Sequence, residues 1–183
     1  IEALSALHAT SVADRLVELL SLSSSTRLGS YKVLQAVIKA LGLLGEAQAV
    51  QPLLAAFQQP FPFECLSEIA TALRKLNDPI IVEPLLQNLL LFKERQQWYT
   101  FQILEHFRDL RAVEPLLRLL ALHNPQTTLW YEINHQERII RILAILGDAR
   151  AVEPLRVYAR HTTNKLHFAA MSALETLGAP ALQ

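Results

Sequence analysis

A single cysteine, Cys65, stands in 183 residues, so no internal disulfide can form and no cysteine pair can hold a metal. That scarcity makes a reducing, cytoplasmic setting the expectation. Glycine is scarce as well, at five residues, and beside abundant leucine and alanine this favours helix over sheet. Neither sign of charge dominates, because 17 Lys and Arg face 17 Asp and Glu. A neutral chain lacks the field for broad adhesion to nucleic acid or to an anionic membrane. No uninterrupted apolar run reaches the roughly 20 residues that a bilayer crossing requires. The opening residues lack a basic stretch followed by an apolar signal core. What the chain does have is apolar material to bury: 51% of its residues are hydrophobic, enough for one extended domain over 1–183 with a continuous core.

That material is arranged in a repeat. One phrase recurs four times, as LGEAQAVQPLL from Leu44, LNDPIIVEPLL from Leu76, FRDLRAVEPLL from Phe107 and LGDARAVEPLR from Leu146. Each carries a large apolar residue eight positions before a proline, with Val two before it and Leu one after. The prolines are Pro52, Pro84, Pro115 and Pro154, spaced 32, 31 and 39 apart. A degenerate copy opens the chain, where Leu7 stands eight before Arg15, and another begins at Leu177.

Counting back from the last apolar residue of each presumptive first helix gives an apolar stripe. Position −3 is Leu4, Leu41, Leu73, Leu104, Leu143 and Leu174, and position −7 is Val37, Ile69, Thr100, Ile139 and Ala170. These offsets share one face of an amphipathic helix. Gly45, Gly147 and Gly178 follow, the residue type that closes a helix in the left-handed conformation. Asp78, Asp109 and Asp148 then stand as N-caps for the second helix. The recurrent proline falls inside that second helix, which predicts a short helical turn kinked where the longer helix begins. First helices are expected near 1–7, 31–44, 63–76, 94–107, 135–146 and 165–177. Second helices are expected near 11–22, 48–58, 80–92, 111–122 and 150–161. One such pair cannot bury its stripe alone, but stacked pairs share a core. The expected fold is all-α: a right-handed α-solenoid of about five helical hairpins.

The phrases LGDARAVEPL (146–155) and FAAMSALETLG (168–178) resemble the HEAT-like repeats of the phycobilisome-lyase (PBS lyase) type. The resemblance covers nearly the whole chain and implies an α-solenoid. Proteins with such repeats include phycobilin lyase subunits, deoxyhypusine hydroxylases and many scaffolding proteins, and the lyase-type repeats tilt the origin toward a cyanobacterium. The hydroxylases bind metal through His-Glu dipeptides on their helices, and no His-Glu pair occurs here. The lyase resemblance implies a subunit that handles a tetrapyrrole together with a partner subunit.

No nucleophile stands beside a base. Cys65 occupies the −11 position of a first helix, where Val33 and Leu166 sit in other repeats, which makes it a packing residue; the alternative is a bilin-accepting thiol. The six histidines show no i, i+4 pair for a metal and read as solvated. No metal and no cofactor is expected. Two surfaces qualify as partner sites. Second helices of a solenoid line its concave face, and there Glu83, Gln87, Glu114, Arg118, Glu153, Arg156 and Arg160 form a mildly acidic groove turning basic near its end. Glu114 and Arg118 have the favourable i, i+4 order. The other surface follows from broken periodicity. Extra residues fall at Ser21–Ser30 and His123–Asn134, both in connections from a second helix to the next first helix. Such insertions emerge on one edge of the array, often the binding edge. That edge carries Phe61, Phe63, Phe92, Trp130 and Tyr131, anchors for a protein contact unless they fold back over their own repeats. Trp98, aligned with polar residues of other repeats, is either exposed on its helix or part of a packed corner.

The leading expectation is a scaffold or adaptor that binds another protein. A lyase-type subunit is the alternative, with nucleic-acid binding third. The chain begins and stops within apolar repeats, so a longer array, or end-to-end self-association through uncapped faces, is also expected.

Overall fold

The computed structural model describes residues 12–20, 31–59, 63–161 and 165–179. Every regular element among them is helical. We number the helices α1 (12–20), α2 (Tyr31–Leu44), α3 (Val50–Phe57), α4 (Phe63–Leu76), α5 (Val82–Asn88), α6 (Glu94–Phe107), α7 (Val113–Ala121), α8 (Trp130–Leu146), α9 (Val152–His161) and α10 (Lys165–Thr176). The pairs α2–α3, α4–α5, α6–α7 and α8–α9 are the four repeated hairpins, and the fold is an all-α helical repeat of the solenoid class. The first helix expected over 1–7, the Ser21–Ser30 insertion and Phe61 lie outside the described residues.

The leucine register explains the stacking. Leu41, Leu73, Leu104, Leu143 and Leu174 are each fully buried. So are Ile69, Thr100 and Ile139 at the −7 position, with Val37 at 5% exposure. Burying one such side chain contributes about 1.5–3 kcal/mol, so the stripe is the main source of hairpin adhesion.

Each hairpin turns by the same local chemistry. Gly45 and Gly147 take φ of 72° and 73° just after the first helix. Asn77 and Arg108 occupy the equivalent positions with φ of 51° each, so two repeats adopt the left-handed turn without glycine. The next residue caps a 3₁₀ turn: the carboxylates of Asp78, Asp109 and Asp148 accept the N–H two residues on, at 3.0, 2.9 and 2.9 Å. Their carbonyls accept from Ile81, Ala112 and Ala151. Arg111 and Arg150 add side-chain donors to Asp109 and Asp148, and these bonds hold the Asp148 carboxyl down at about 2.

The proline differs from the sequence expectation. The α-helices begin at Val50, Val82, Val113 and Val152, which makes each proline the third helical residue. Amides in the first turn have no intrahelical acceptor, so the missing N–H removes nothing there. The 3₁₀ turns Ala47–Ala49, Pro79–Ile81, Leu110–Ala112 and Ala149–Ala151 lead into this start and are the short helical turns expected there.

A Cβ added at Gly147 meets nothing within 4 Å, so only its backbone conformation resists substitution. Gly147→Ala is expected to lower stability by about 1 kcal/mol, with Arg108→Gly moving the other way. Paired urea titrations check both signs.

The chain divides into two compact units. One holds residues 1–85 and 92–103, and the other holds 86–91 and 104–183. In the first unit, Phe57 meets Phe92 edge-on at 5.6 Å, and Gln96 Nε2 donates to the Phe57 carbonyl at 2.9 Å. In the second, Glu105 of α6 accepts from Arg138 and Arg141 of α8 at 2.7 and 3.0 Å.

Candidate functional site

The aromatic residues expected on the loop edge separate into different environments. Phe92 is 9% exposed and packed on Phe57 of the α2–α3 hairpin, so it is taken up in packing between repeats and leaves the contact edge. Phe63 begins α4, and its side chain lies outside what the structure describes. Trp130 and Tyr131 are 79% and 48% exposed, yet they stand in the first turn of α8 and not on a loop. The inserted connection is therefore shorter than His123–Asn134 and runs over residues 122–129. Pattern missed this start because α8 has no side-chain cap; Leu129 stands at the N-cap position.

Apolar exposure at this connection goes beyond the two rings. Leu122 and Leu129, which flank it, are 73% and 48% exposed. At the equivalent connection between α5 and α6, Leu90 and Leu91 are 49% and 80% exposed. Beside Phe92 a recess of about 640 Å³ opens, with Lys93, Glu94, Arg95 and Gln96 among its lining residues. Six of its eight lining residues are charged or carry amides, and Leu66 and Phe92 are the others. Trp98 is 37% exposed, and Phe168 presents another outward ring on α10 at 71%.

The second-helix candidates remain at the surface. Glu83, Gln87, Glu114, Arg118, Glu153 and Arg160 are exposed, while Arg156 is half-buried. Glu114 and Arg118 form the expected ion pair at 3.0 Å, and Arg156 pairs with Glu153. Solvated pairs of this kind contribute well under about 1 kcal/mol each.

Cys65 is fully buried, and burial, then Glu64 and Glu68, push its thiol above the ordinary range. A protonated thiol without solvent contact is a packing group, not a nucleophile. Among the described residues no three His, Cys, Asp or Glu side chains converge to hold a metal. No helix among them is long and apolar enough to cross a membrane.

Sequence reasoning missed a buried polar cluster beside the inserted connection. His135, read as solvated, is 8% exposed; its Nδ1 lies 3.2 Å from Nε2 of His123. Gln136 is fully buried, donates from Nε2 to the Asn124 carbonyl at 3.2 Å and accepts from the Tyr158 hydroxyl at 2.8 Å. Tyr158 also reaches the Leu120 carbonyl at 3.3 Å. Burial raises the Tyr158 phenol and pushes His135 down to about 4, the charge of His123 adding to the latter. The repeat register held a signal for this cluster. His135 stands at the −11 position, buried as Cys65 and Leu166 elsewhere, and Gln136 stands at −10, filled by Leu34 and Leu66 in other repeats.

Hairpins of two amphipathic helices, a capped 3₁₀ turn and a recurrent Val-x-Pro-Leu start define the repeating unit. Residues 33–59 match the family model of the PBS lyase HEAT-like repeat. The match covers α2 from its third residue through α3. The other hairpins present the same leucine register and 3₁₀ junction as this HEAT-like repeat. No curated protein matches the chain.

Proposed function

We propose that this HEAT-like repeat chain is a protein-binding module whose contact edge centres on Trp130 and Tyr131. One observation carries the reading: Leu122, Leu129, Trp130 and Tyr131 are exposed within ten residues of one another, at the connection that breaks the repeat period. Large rings left wet at a single place are costly to keep exposed and are the residue types that anchor protein contacts. The rings project from the first turn of α8, so they are held in place before a partner arrives, which limits the entropy lost on binding. Exposed second-helix polar groups of the same unit, Gln87, Glu114 and Arg118, supply a surface for orientation.

The test is an affinity capture from extract of the source organism, with wild-type and Trp130→Ala/Tyr131→Ala baits side by side. The double variant is expected to weaken a discrete partner at least tenfold, or about 1.4 kcal/mol, with unchanged helix content. A partner retained equally by both baits moves the contact to the second helices. The match at residues 33–59 favours one further reading, a lyase-type subunit handling a tetrapyrrole with a partner subunit. A stable shift in visible absorbance on mixing with a bilin, in the absence of protein partners, supports that reading over the first.

A further inference from the structure

The connection 122–129 is fastened to α8 by two adjacent contacts. His123 meets His135, and the carbonyl of the next residue, Asn124, accepts from Gln136. Inside the connection, Asn124 Oδ1 accepts from the Gln126 amide at 3.0 Å and the Asn124 carbonyl from the Thr127 amide at 3.2 Å. Thr127 is 6% exposed, and its hydroxyl accepts from the Leu129 amide at 3.2 Å. The segment is thus a small folded unit whose attachment passes through a histidine pair. With both rings neutral, one nitrogen donates its N–H and the other accepts with its lone pair.

We propose that the His123–His135 contact is an acid-sensitive clasp, which holds residues 122–129 against α8 in neutral solution and opens when the rings take up protons. In the closed arrangement a proton on His135 sits in a buried site beside another imidazole. When both rings are charged, each contacting nitrogen carries N–H, and donor faces donor. In the opened arrangement His135 meets water and takes up its proton at the ordinary value of an imidazole, so acid favours opening by linkage.

The charged groups on the elements packed around this pair are largely matched with one another. On α7, Glu114 pairs with Arg118. On α8, Glu137 pairs with Lys165 of α10, Arg138 with Glu105 of α6, and Glu132 lies 3.5 Å from the Tyr131 hydroxyl. On α9, Tyr158 donates to Gln136, Glu153 pairs with Arg156, and Arg160 carries a fixed positive charge. His167 of α10 sits against the Ala159 carbonyl at 2.8 Å and is the other imidazole in the neighbourhood. The charge that acts on His135 is that of His123.

The clasp is independent of whether the exposed edge binds a partner, and its test needs only the chain itself. Hydrogen exchange is followed at pH 7.5 and 5.0, corrected for the intrinsic rate, in peptides covering 122–129 and 139–146. With His135 near 4 when closed and about 6.5 when open, opening of 122–129 is expected to rise about 30-fold at the lower pH. Residues 139–146 keep their protection. The variant His123→Gln/His135→Asn, whose amides pair N–H to carbonyl oxygen without titrating, is expected to show no such rise. An unchanged 122–129 segment in the wild type, or the same rise in the variant, overturns the proposal. Should the variant not fold, ring-proton NMR of the wild type decides the matter: His135 titrating near 6.5 with 122–129 still protected also overturns it.

Discussion

Gly42→Ala is expected to destabilise the first unit by about 3 kcal/mol, the upper end of the range for overpacking a core. Gly42 lies in α2 where that helix packs against α4. A Cβ built there would stand 2.7 Å from both Cα and Cβ of Ala72. The obstructing Cα is backbone, so no rotamer change relieves the contact and the two helices must separate. Leu41 and Leu73, the neighbours of Gly42 and Ala72 in sequence, are fully buried, so separation opens their packing as well. In a solvated helix the same change is a gain of about 1 kcal/mol, because alanine is the better helix former. The sign of the measured effect therefore reports the close approach. The chain has two tryptophans, Trp98 in this unit and Trp130 in the other. Urea unfolding of Gly42→Ala in a Trp130→Phe background, followed at Trp98, isolates the effect. Unchanged or increased stability would mean that α2 and α4 do not meet at this distance.

Acid should weaken the second unit before any carboxylate matters. His135 is held down to about 4 by burial first and the charge of His123 second. Its value in the unfolded chain is about 6.5, so between these limits the unfolded state binds more protons and stability rises with pH. The contribution is complete above about 6.5 and fades as pH falls toward 4. Between pH 7 and 5 the expected loss is about 2 kcal/mol from this one ring, which is 8% exposed and so only weakly screened. Asp109 and Asp148 are shifted the other way, downward, chiefly by side-chain hydrogen bonds from Arg111 and Arg150. Their contributions persist above the ordinary carboxylate value and are lost only at lower pH, outside this window. Urea midpoints by circular dichroism at pH 7 and 5, for wild type and His123→Gln/His135→Asn, separate the two causes. A wild-type loss that persists in the variant would assign it to other groups.

The hairpins were legible in sequence because each one repeats the same solution. Leu41, Leu73, Leu104 and Leu143 recur at one register, and Asp78, Asp109 and Asp148 cap at one offset, so agreement among copies stands in for an alignment. Arg108 was illegible as a left-handed residue because neighbouring geometry, and not its own preference, puts it there. The start of α8 was hidden because Trp130 and Tyr131 follow an uncapped Leu129, so the helix announces itself by no local signal. Phe92 and Trp130 both stand near connections, and their opposite exposures follow from what lies next to them. Phe57 is there to receive Phe92, whereas Trp130 points to solvent. The His123–His135 contact joins residues twelve apart across a connection whose path no periodicity specifies.

Repetition carries a hazard of its own, because a helix whose leucines suit one neighbour suits the next neighbour almost as well. Gln136 breaks that equivalence. Its amide is satisfied by Tyr158 and by the Asn124 carbonyl, on elements that lie on either side of α8 in the chain. A hairpin docked two or three repeats out of step would set Gln136 where Leu66 or Leu34 belongs and leave a fully buried amide with nothing to bond. One polar cluster among interchangeable leucines thus acts as an address label, telling the growing stack which hairpin comes next.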